Sequence, residues 1–346
     1  MFPAIFEHIQ AKCNLEPIKD LLRTIKDSSR KADQEIFLGT TKEEAVQNLR
    51  QAASSRYVET DALLELLRRA EETGHQHILL LCPATGADAP KSLKAKDVAQ
   101  TLFDGRSEEI FPRFEYPSNG YAWSDFRING DGWIAKAYGR EVFKSAVGTT
   151  IEEIADGRIQ EIREYEFREV KTALIARWEP QSGILEFRID ISGIQTTQTL
   201  AERRAAFWRL FEPAFGRNCF VGLNVEGLLN SLVFEREIAE NQPLYSISRV
   251  ELTDPRSGLI RVLPFQSEDF DNDPGRKNAL QAMKESRFVP SMARIDWKPD
   301  ADEAPATMRD LSIVLEKTAN GPELRILKRV PSEVYEYVLG QLRKRL

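Results

Sequence analysis

Hydrophobic residues follow two different periods along this chain. Up to about residue 75 they recur three or four positions apart, as Leu15, Ile18, Leu22 and Ile25 do, which is the spacing of an amphipathic helix. From Tyr121 onward apolar and polar residues alternate, which is the period of a half-buried β-strand. The pattern predicts an α+β fold in which a helical N-terminal module precedes a large antiparallel β region.

A segment rich in proline and glycine indicates where this architecture divides. Residues 83–90 contain two prolines and one glycine, and lysines follow them, so we place a domain boundary near residue 90. The expected organisation has three parts. They are a helical N-terminal module at 1–90, a first antiparallel β half with a helix at 91–216, and a second β half with a C-terminal helix at 217–346.

One turn motif occurs twice in the β region. Residues 179–183 read E-P-Q-S-G and residues 254–258 read D-P-R-S-G, and each lies between two alternating segments. Proline near the start and glycine at the end favour a tight turn, so we expect a hairpin at each. Asn320-Gly321 predicts a third hairpin. The repeat raises the hypothesis that the two β halves are duplicates, with independent use of the same turn chemistry as the alternative.

The composition is that of a soluble globular protein, with 42% hydrophobic and 29% charged residues among 346. No stretch approaches about 18 consecutive apolar residues, so we expect no transmembrane helix and no membrane partner. The three cysteines lie far apart, and the first residues lack the pattern of a signal peptide, which together favour the cytoplasm. A net charge of −6 argues against a general nucleic-acid binder.

Motifs of the common catalytic classes are missing from the sequence. The glycine-rich phosphate loops, the nucleophile elbow and the zincin helix motif are not found, so we predict no cofactor. His75 and His77 supply only two of the three or four ligands that zinc needs. Residues 269–273 place three aspartates at calcium-loop spacing, but Pro274 replaces the required glycine and Leu280 the final glutamate. We therefore predict no metal site.

One enzymatic hypothesis stays open. Glu169 and Lys171 form an acid-x-Lys pair on a predicted strand, and Asp156 precedes them. Two carboxylates can hold a divalent cation while a lysine positions the attacking water, as in metal-dependent nucleases. The alternative interpretation is a solvent-facing row of charges on that strand.

Aromatic and basic residues cluster around the first predicted hairpin, near Asn129–Gly132. Such residues on a sheet can stack and hold a nucleotide or another ligand, although strand aromatics also serve as core. The candidate binding residues are Trp123, Arg127, Trp133, Lys136, Tyr138 and Arg140.

These observations favour a non-catalytic cytoplasmic protein that recognises or scaffolds another macromolecule, most readily a protein, on an exposed sheet face. A bacterial accessory or defence-system component fits this description. The alternatives are a metal-dependent nuclease or hydrolase using Asp156, Glu169 and Lys171, and a nucleic-acid-binding regulator that uses the helices of residues 41–73. The last requires a basic face on those helices.

Overall fold

The computed structural model describes residues 2–28, 33, 35–103, 116–154, 158–191, 197–234, 245–254, 258–263, 274–297, 304–305, 308, 311–318 and 321–345. Within these residues the protein has nine α-helices and a single sheet of eleven strands. Every strand pairing described is antiparallel. The predicted α+β class is therefore confirmed. None of the described helices has the length and apolar character required to cross a membrane.

The N-terminal residues form four helices with a core of their own. They are α1 (Phe2–Lys12), α2 (Leu15–Ser28), α3 (Lys42–Ser54) and α4 (Thr60–Glu72). The start of α3 is fixed by a capping box. The Thr41 hydroxyl accepts a hydrogen bond from the Glu44 backbone N–H, and the Glu44 carboxylate accepts one from the Thr41 backbone N–H.

The sheet extends from residue 74 almost to the C-terminal helix. Its strands are β1 (Gly74–Pro83), β2 (Gly120–Asn129), β3 (Gly132–Ile154), β4 (Arg158–Glu179), β5 (Ile184–Asp190), β6 (Phe220–Gly222), β7 (Tyr245–Thr253), β8 (Leu259–Val262), β9 (Val289–Trp297), β10 (Leu311–Thr318) and β11 (Gly321–Arg329). Their order is β2-β3-β4-β5-β1-β11-β10-β9-β7-β8, and β6 pairs with one end of β1. Strand β1 belongs to the predicted N-terminal module, yet it joins the two parts of the sheet. The division into three domains stays a prediction.

Helices cover the two faces of the sheet unequally. The remaining helices are α5 (Ala95–Phe103), α6 (Thr197–Phe211), α7 (Val225–Phe234), α8 (Pro274–Glu285) and α9 (Ser332–Arg343). We call the inner face the one that packs against α1–α4 near β2–β5 and against α7–α9 near β7–β11. The outer face packs against α5 and α6 over β2–β5 and β1. Strands β1 and β5 are thus covered on both faces, and every residue of β5 is buried.

The two E/D-P-x-S-G turns join adjacent strands, as predicted, but their surroundings differ. Residues 179–183 connect β4 to β5, which also pairs with β1. Asp254 and Gly258 flank the connection of β7 to β8, and the Asp254 backbone N–H donates to the Gly258 carbonyl. Residues 255–257 lie outside the described residues. Strand β8 is an edge strand. The helix after the first turn covers the outer face and the helix after the second covers the inner face. The surroundings of the two turns therefore differ, and duplication of the two halves stays a hypothesis.

Strands β3 and β4 form a hairpin much longer than the rest of the sheet. Strand β4 is continuous over its whole length, and the irregularity lies on its partner, where β3 has a bulge between Ala146 and Gly148. Strand β2 pairs with β3 only as far as Arg140, and β5 pairs with β4 only from Leu174. Beyond these points the hairpin is a two-stranded ribbon.

Candidate functional site

The outer face of the second half of the sheet is the candidate site. Strands β11, β10, β9, β7 and β8 send alternate aliphatic side chains to the inner face, where α7 and α9 bury them. The intervening residues face outward, and no helix packs over them in the part of the chain that the structure describes. We call this outer face of β11, β10, β9, β7 and β8 the platform.

Strand register arranges the platform side chains in rows that cross the strands. One row starts on β1 and contains His77, Arg325, Val314, Arg294 and Arg249, each directly opposite the next on the neighbouring strand. Directly opposite residues lie about 5 Å apart. Three guanidinium groups are therefore spread over about 14 Å of the sheet, from β11 to β7. We call this the basic row.

A second row beside it carries carboxylates. It contains Glu323, Glu316, Met292, Glu251 and Arg261, again directly opposite one another from β11 to β8. Like charges directly opposite each other are unfavourable, which applies to the Glu323–Glu316 pair. The neighbouring basic row compensates that charge.

Arginines of the basic row are paired with carboxylates, and two of them are more exposed than their partners. The Arg249 Nη2 donates to Glu251 at 2.6 Å, and Arg325 donates to Glu316. The side chains of Arg249, Arg294 and Arg325 are 40%, 46% and 32% exposed. Glu251 and Asp296 are 13% and 29% exposed, whereas Glu316, at 33%, is as exposed as Arg325. The guanidinium groups of Arg249 and Arg294 therefore lie further outward than their partner carboxylates.

These guanidinium groups keep donors that a ligand could use. Each has five N–H donors. Arg294 Nε lies 3.7 Å from Asp296 Oδ1, and its Nη2 donates to the Ser312 hydroxyl at 3.3 Å. Such planar groups match the two oxygens of a carboxylate or phosphate. An acidic ligand is therefore the chemical class that the basic row suits.

At the β1 end the platform meets helix α6. Glu323 is 7% exposed, with His77 Nδ1 at 3.3 Å, and it accepts hydrogen bonds from Arg204 and from Thr318 at 3.0 Å. Burial raises the pKa of Glu323, but His77, Arg204 and Thr318 outweigh it and lower the pKa to about 2. Glu323 is therefore ionised at neutral pH and neutralises Arg204 at this border.

A groove continues from this border between α6 and strands β1 and β6. It has a volume of about 840 Å³. Its lining includes Leu79, Leu81, Ala201, Arg204, Trp208 and Phe220. Its lining mixes apolar side chains with polar ones such as Arg217 and Asn218, so it could hold an apolar group next to the charged platform.

The structure places the predicted stacking residues in two different cores. Trp133 is fully buried, and Trp123 packs on Phe211 with ring centroids 4.8 Å apart, both on the outer face near α6. On the inner face, the remaining four make ion pairs or are buried. Arg127 pairs with Glu72, Arg140 with Glu169, and Lys136 and Tyr138 both contact Glu71. The six side chains do not form one exposed surface. A binding role for them stays a prediction.

Lys136 and Tyr138 belong to a buried polar network beneath α4. Lys136 Nζ lies 3.0 Å from Glu71 and 3.0 Å from Glu72, and the Tyr138 hydroxyl donates to Glu71 at 2.7 Å. Burial raises the pKa of Glu71, but Lys136, His8 and Tyr138 together lower it to about 2. Their mutual charge neutralisation holds the N-terminal helices on the sheet, so this cluster has a structural explanation.

The proposed nuclease residues are only partly brought together. Glu169 and Lys171 share the inner face of β4, as predicted, but Glu169 lies 3.4 Å from Arg140 and Lys171 lies over the Tyr116 ring at 5.2 Å. Asp156 lies outside the described residues. Among the residues that are described, no three His, Cys, Asp or Glu side chains are grouped to hold a metal ion.

Helices α3 and α4 do not provide a strongly basic surface. Residues 41–73 contain five basic and seven acidic residues. Arg68 faces the sheet, with Nε donating to Asp125 at 3.2 Å. Recognition of nucleic acid by these helices therefore has little electrostatic support.

Sequence reasoning did not select any platform residue. The signal was present, because polar residues alternate with aliphatic ones in β7, β9, β10 and β11. Alternation alone does not distinguish a docking face from ordinary solvent exposure. Comparison with protein-family models and with curated proteins finds no match for this chain.

Proposed function

We propose that the protein is a non-catalytic recognition protein that docks an acidic segment of another protein on the platform. One observation carries the proposal: the basic row places three partly exposed guanidinium groups on a sheet face that no described helix covers. Arginine is enriched at protein interfaces and pairs with carboxylates in two-pronged geometry.

The neighbouring groove favours a protein, and not a polynucleotide, as the partner. An acidic segment with one apolar or aromatic side chain would place its carboxylates on the basic row and that side chain against Trp208. A nucleic acid would bring a continuous run of phosphates close to the carboxylates of the second row. The net charge of −6 adds to that repulsion at long range.

A double charge reversal tests the proposal. Arg249→Glu/Arg294→Glu reverses the basic row, while Arg23→Glu/Arg69→Glu reverses two arginines on α2 and α4 that are 47% and 62% exposed. Partners would be captured by affinity purification of each protein and identified by quantitative mass spectrometry. The recovered partner would then be purified for titration at several salt concentrations.

The expected result is a defined protein partner whose affinity falls at least about tenfold in the platform variant, since two interface arginines are each worth more than about 1 kcal/mol. The matched control should bind like the wild type, and binding should weaken with salt. Equal binding by both variants, or recovery of nucleic acid in place of protein, would count against the proposal.

A further inference from the structure

The two-stranded ribbon of β3 and β4 is a second surface with its own chemistry. We define the arm as residues 141–154 and 158–170, where the hairpin has lost its neighbours β2 and β5. Half of the large hydrophobic residues that are exposed in the described structure lie on this arm: Val142, Val147, Ile151, Tyr165 and Phe167. They are 41% to 70% exposed. Tyr165 and Phe167 lie on β4, so a strand added at the edge of β4 could place apolar side chains beside them.

The two edges of the arm differ in regularity. The β3 edge is interrupted by the bulge at Val147. The outer edge of β4 has no paired strand among the described residues before Leu174. An open, regular edge is a template for pairing with another strand.

The β4 sequence is complementary to itself when read backwards. Residues 163–169 are R-E-Y-E-F-R-E. In an antiparallel pair of two such strands centred on Glu166, residue 163 lies opposite 169 of the partner, 164 opposite 168, and 165 opposite 167. These pairings match Arg with Glu, Glu with Arg, and Tyr with Phe, and a two-fold axis repeats each of them. Opposite charges and aromatic pairs are the favourable cross-strand combinations.

Strand geometry permits this arrangement. Tyr165 and Phe167 share one face of β4 and the even-numbered residues share the other, since the extra residue of the bulge lies on β3 and β4 itself alternates without interruption. A two-fold axis perpendicular to the sheet keeps each face continuous across the new pair. Pairing centred on residue 165 would instead bring Glu164 opposite Glu166, and pairing centred on residue 167 would bring Arg163 opposite Lys171. The sequence therefore selects the register centred on Glu166.

We propose that the arm pairs with the arm of a second copy of this chain, making a four-stranded antiparallel sheet in the order β3-β4-β4-β3. The interface gives Arg163 and Glu169 partners across the dimer in addition to Glu161 and Arg140 within the chain. One unfavourable contact remains, because Glu166 meets its own copy at the axis.

Charge excludes nucleic acid as the occupant of the arm. Residues 141–170 contain eight acidic and four basic side chains, a net charge of −4. A ribbon that enters a DNA groove needs the opposite sign. A second copy supplies a matching partner for each charge from 163 to 169 except Glu166.

Charge reversal within the arm tests the register. Sedimentation equilibrium over a wide concentration range would measure the dimer dissociation constant of the full chain. Glu164→Arg and Arg168→Glu should each raise it at least about tenfold, because each change replaces two opposite-charge pairs by two like-charge pairs. The double swap Glu164→Arg/Arg168→Glu should restore it to within about threefold of the wild type. Glu166→Gln should lower it.

A cysteine at the axis gives a second measurement that does not depend on affinity. Directly opposite residues of an antiparallel pair have Cα atoms about 5 Å apart, which a disulfide can bridge. Glu166→Cys should form a disulfide-linked dimer under mild oxidation, whereas Glu161→Cys, which would lie opposite residue 171, should not. The wild type controls for its own three cysteines.

A wild type that stays monomeric at all concentrations would overturn the proposal. A dimer that both single reversals leave intact, or that the double swap fails to restore, would overturn it as well. The platform variant Arg249→Glu/Arg294→Glu should dimerise like the wild type, since the platform is on the other half of the sheet.

Discussion

Replacing Lys136 by methionine tests the electrostatic account of how the N-terminal helices are held on the sheet. The Lys136 side chain is 3% exposed, and its ammonium group lies 3.0 Å from the carboxylates of both Glu71 and Glu72. Methionine keeps most of the length and apolar surface of lysine but removes the cation. Glu71 then keeps only neutral Tyr138 and the His8 contact, and Glu72 keeps Arg127.

The size of the effect follows from the burial of the ion pair. Removing one partner of a buried ion pair typically costs about 3–5 kcal/mol, because the remaining charge has lost its compensation. The pKa of Glu71 supports the sign of the effect. Burial raises it, yet Lys136, the strongest of the opposing groups, helps to lower it from 4.5 to about 2, so Lys136→Met removes the largest compensation of that charge. We expect Lys136→Met to lose about 3–5 kcal/mol of unfolding free energy at neutral pH.

The pH dependence distinguishes this loss from a packing defect. In the wild type the pKa of Glu71 is depressed, so its stabilisation is present above pH 4.5 and is lost as the pH falls toward 2. In the variant, burial without Lys136 raises the pKa of Glu71 relative to the wild type, so acid relieves the buried charge. The difference in stability between the two proteins should therefore shrink as the pH is lowered from 7 to 4.

Urea unfolding followed by tryptophan fluorescence at pH 7 and pH 4 would measure the loss of unfolding free energy and its change with pH. Lys317→Met is the matched control, because Lys317 is 54% exposed and forms a surface pair with Glu226 at 2.8 Å. That substitution should cost less than about 1 kcal/mol. A loss below about 1 kcal/mol for Lys136→Met at pH 7, or a difference that grows toward pH 4, would refute the reasoning.

Two further outcomes are expected. Gly132→Ala should cost about 3 kcal/mol of unfolding free energy, because the new Cβ would lie 2.2 Å from the Trp178 carbonyl oxygen. Gly183→Ala, in open space at a φ of +65°, should cost only about 1 kcal/mol. Equal losses of the two variants in urea unfolding would contradict this contrast. Purified protein with Mg²⁺ or Mn²⁺ should not cut DNA or RNA. Cleavage that needs the metal and disappears in Glu169→Gln would establish the nuclease alternative instead.

The antiparallel sheet could be predicted because its signals are local. Alternation fixes which residues of a strand share a face, and the turns at 179–183 and 254–258 fix where the chain reverses. The place of β1 could not be predicted in the same way. Ile78 lies opposite Arg188 on one side and Leu324 on the other, more than a hundred residues away in each case. A short apolar run does not reveal such partners.

Burial of the aromatic and basic residues around the first hairpin shows a second limit of prediction from sequence. Trp133 and Lys136 are three residues apart on β3 and point to opposite faces. A strand with one solvated face would expose one of them, but helices cover both faces here. Lys136 is neutralised by carboxylates of α4, some sixty-five residues earlier in the chain. Sequence pattern shows that the lysine is on a strand, but not that a distant helix brings its counter-ions.

The platform could not be predicted from the sequence because it exists only across strands. Arg325 and Arg294 lie in one row only because Val314 is opposite both of them. The core on the inner face imposes the same register, since Leu324 and Ile326 are fully buried there and Arg325 between them faces outward. A slip of one residue would bury the arginine and expose the leucine. The core that stabilises this half of the sheet therefore also sets the spacing of the guanidinium groups, on which the proposed docking depends.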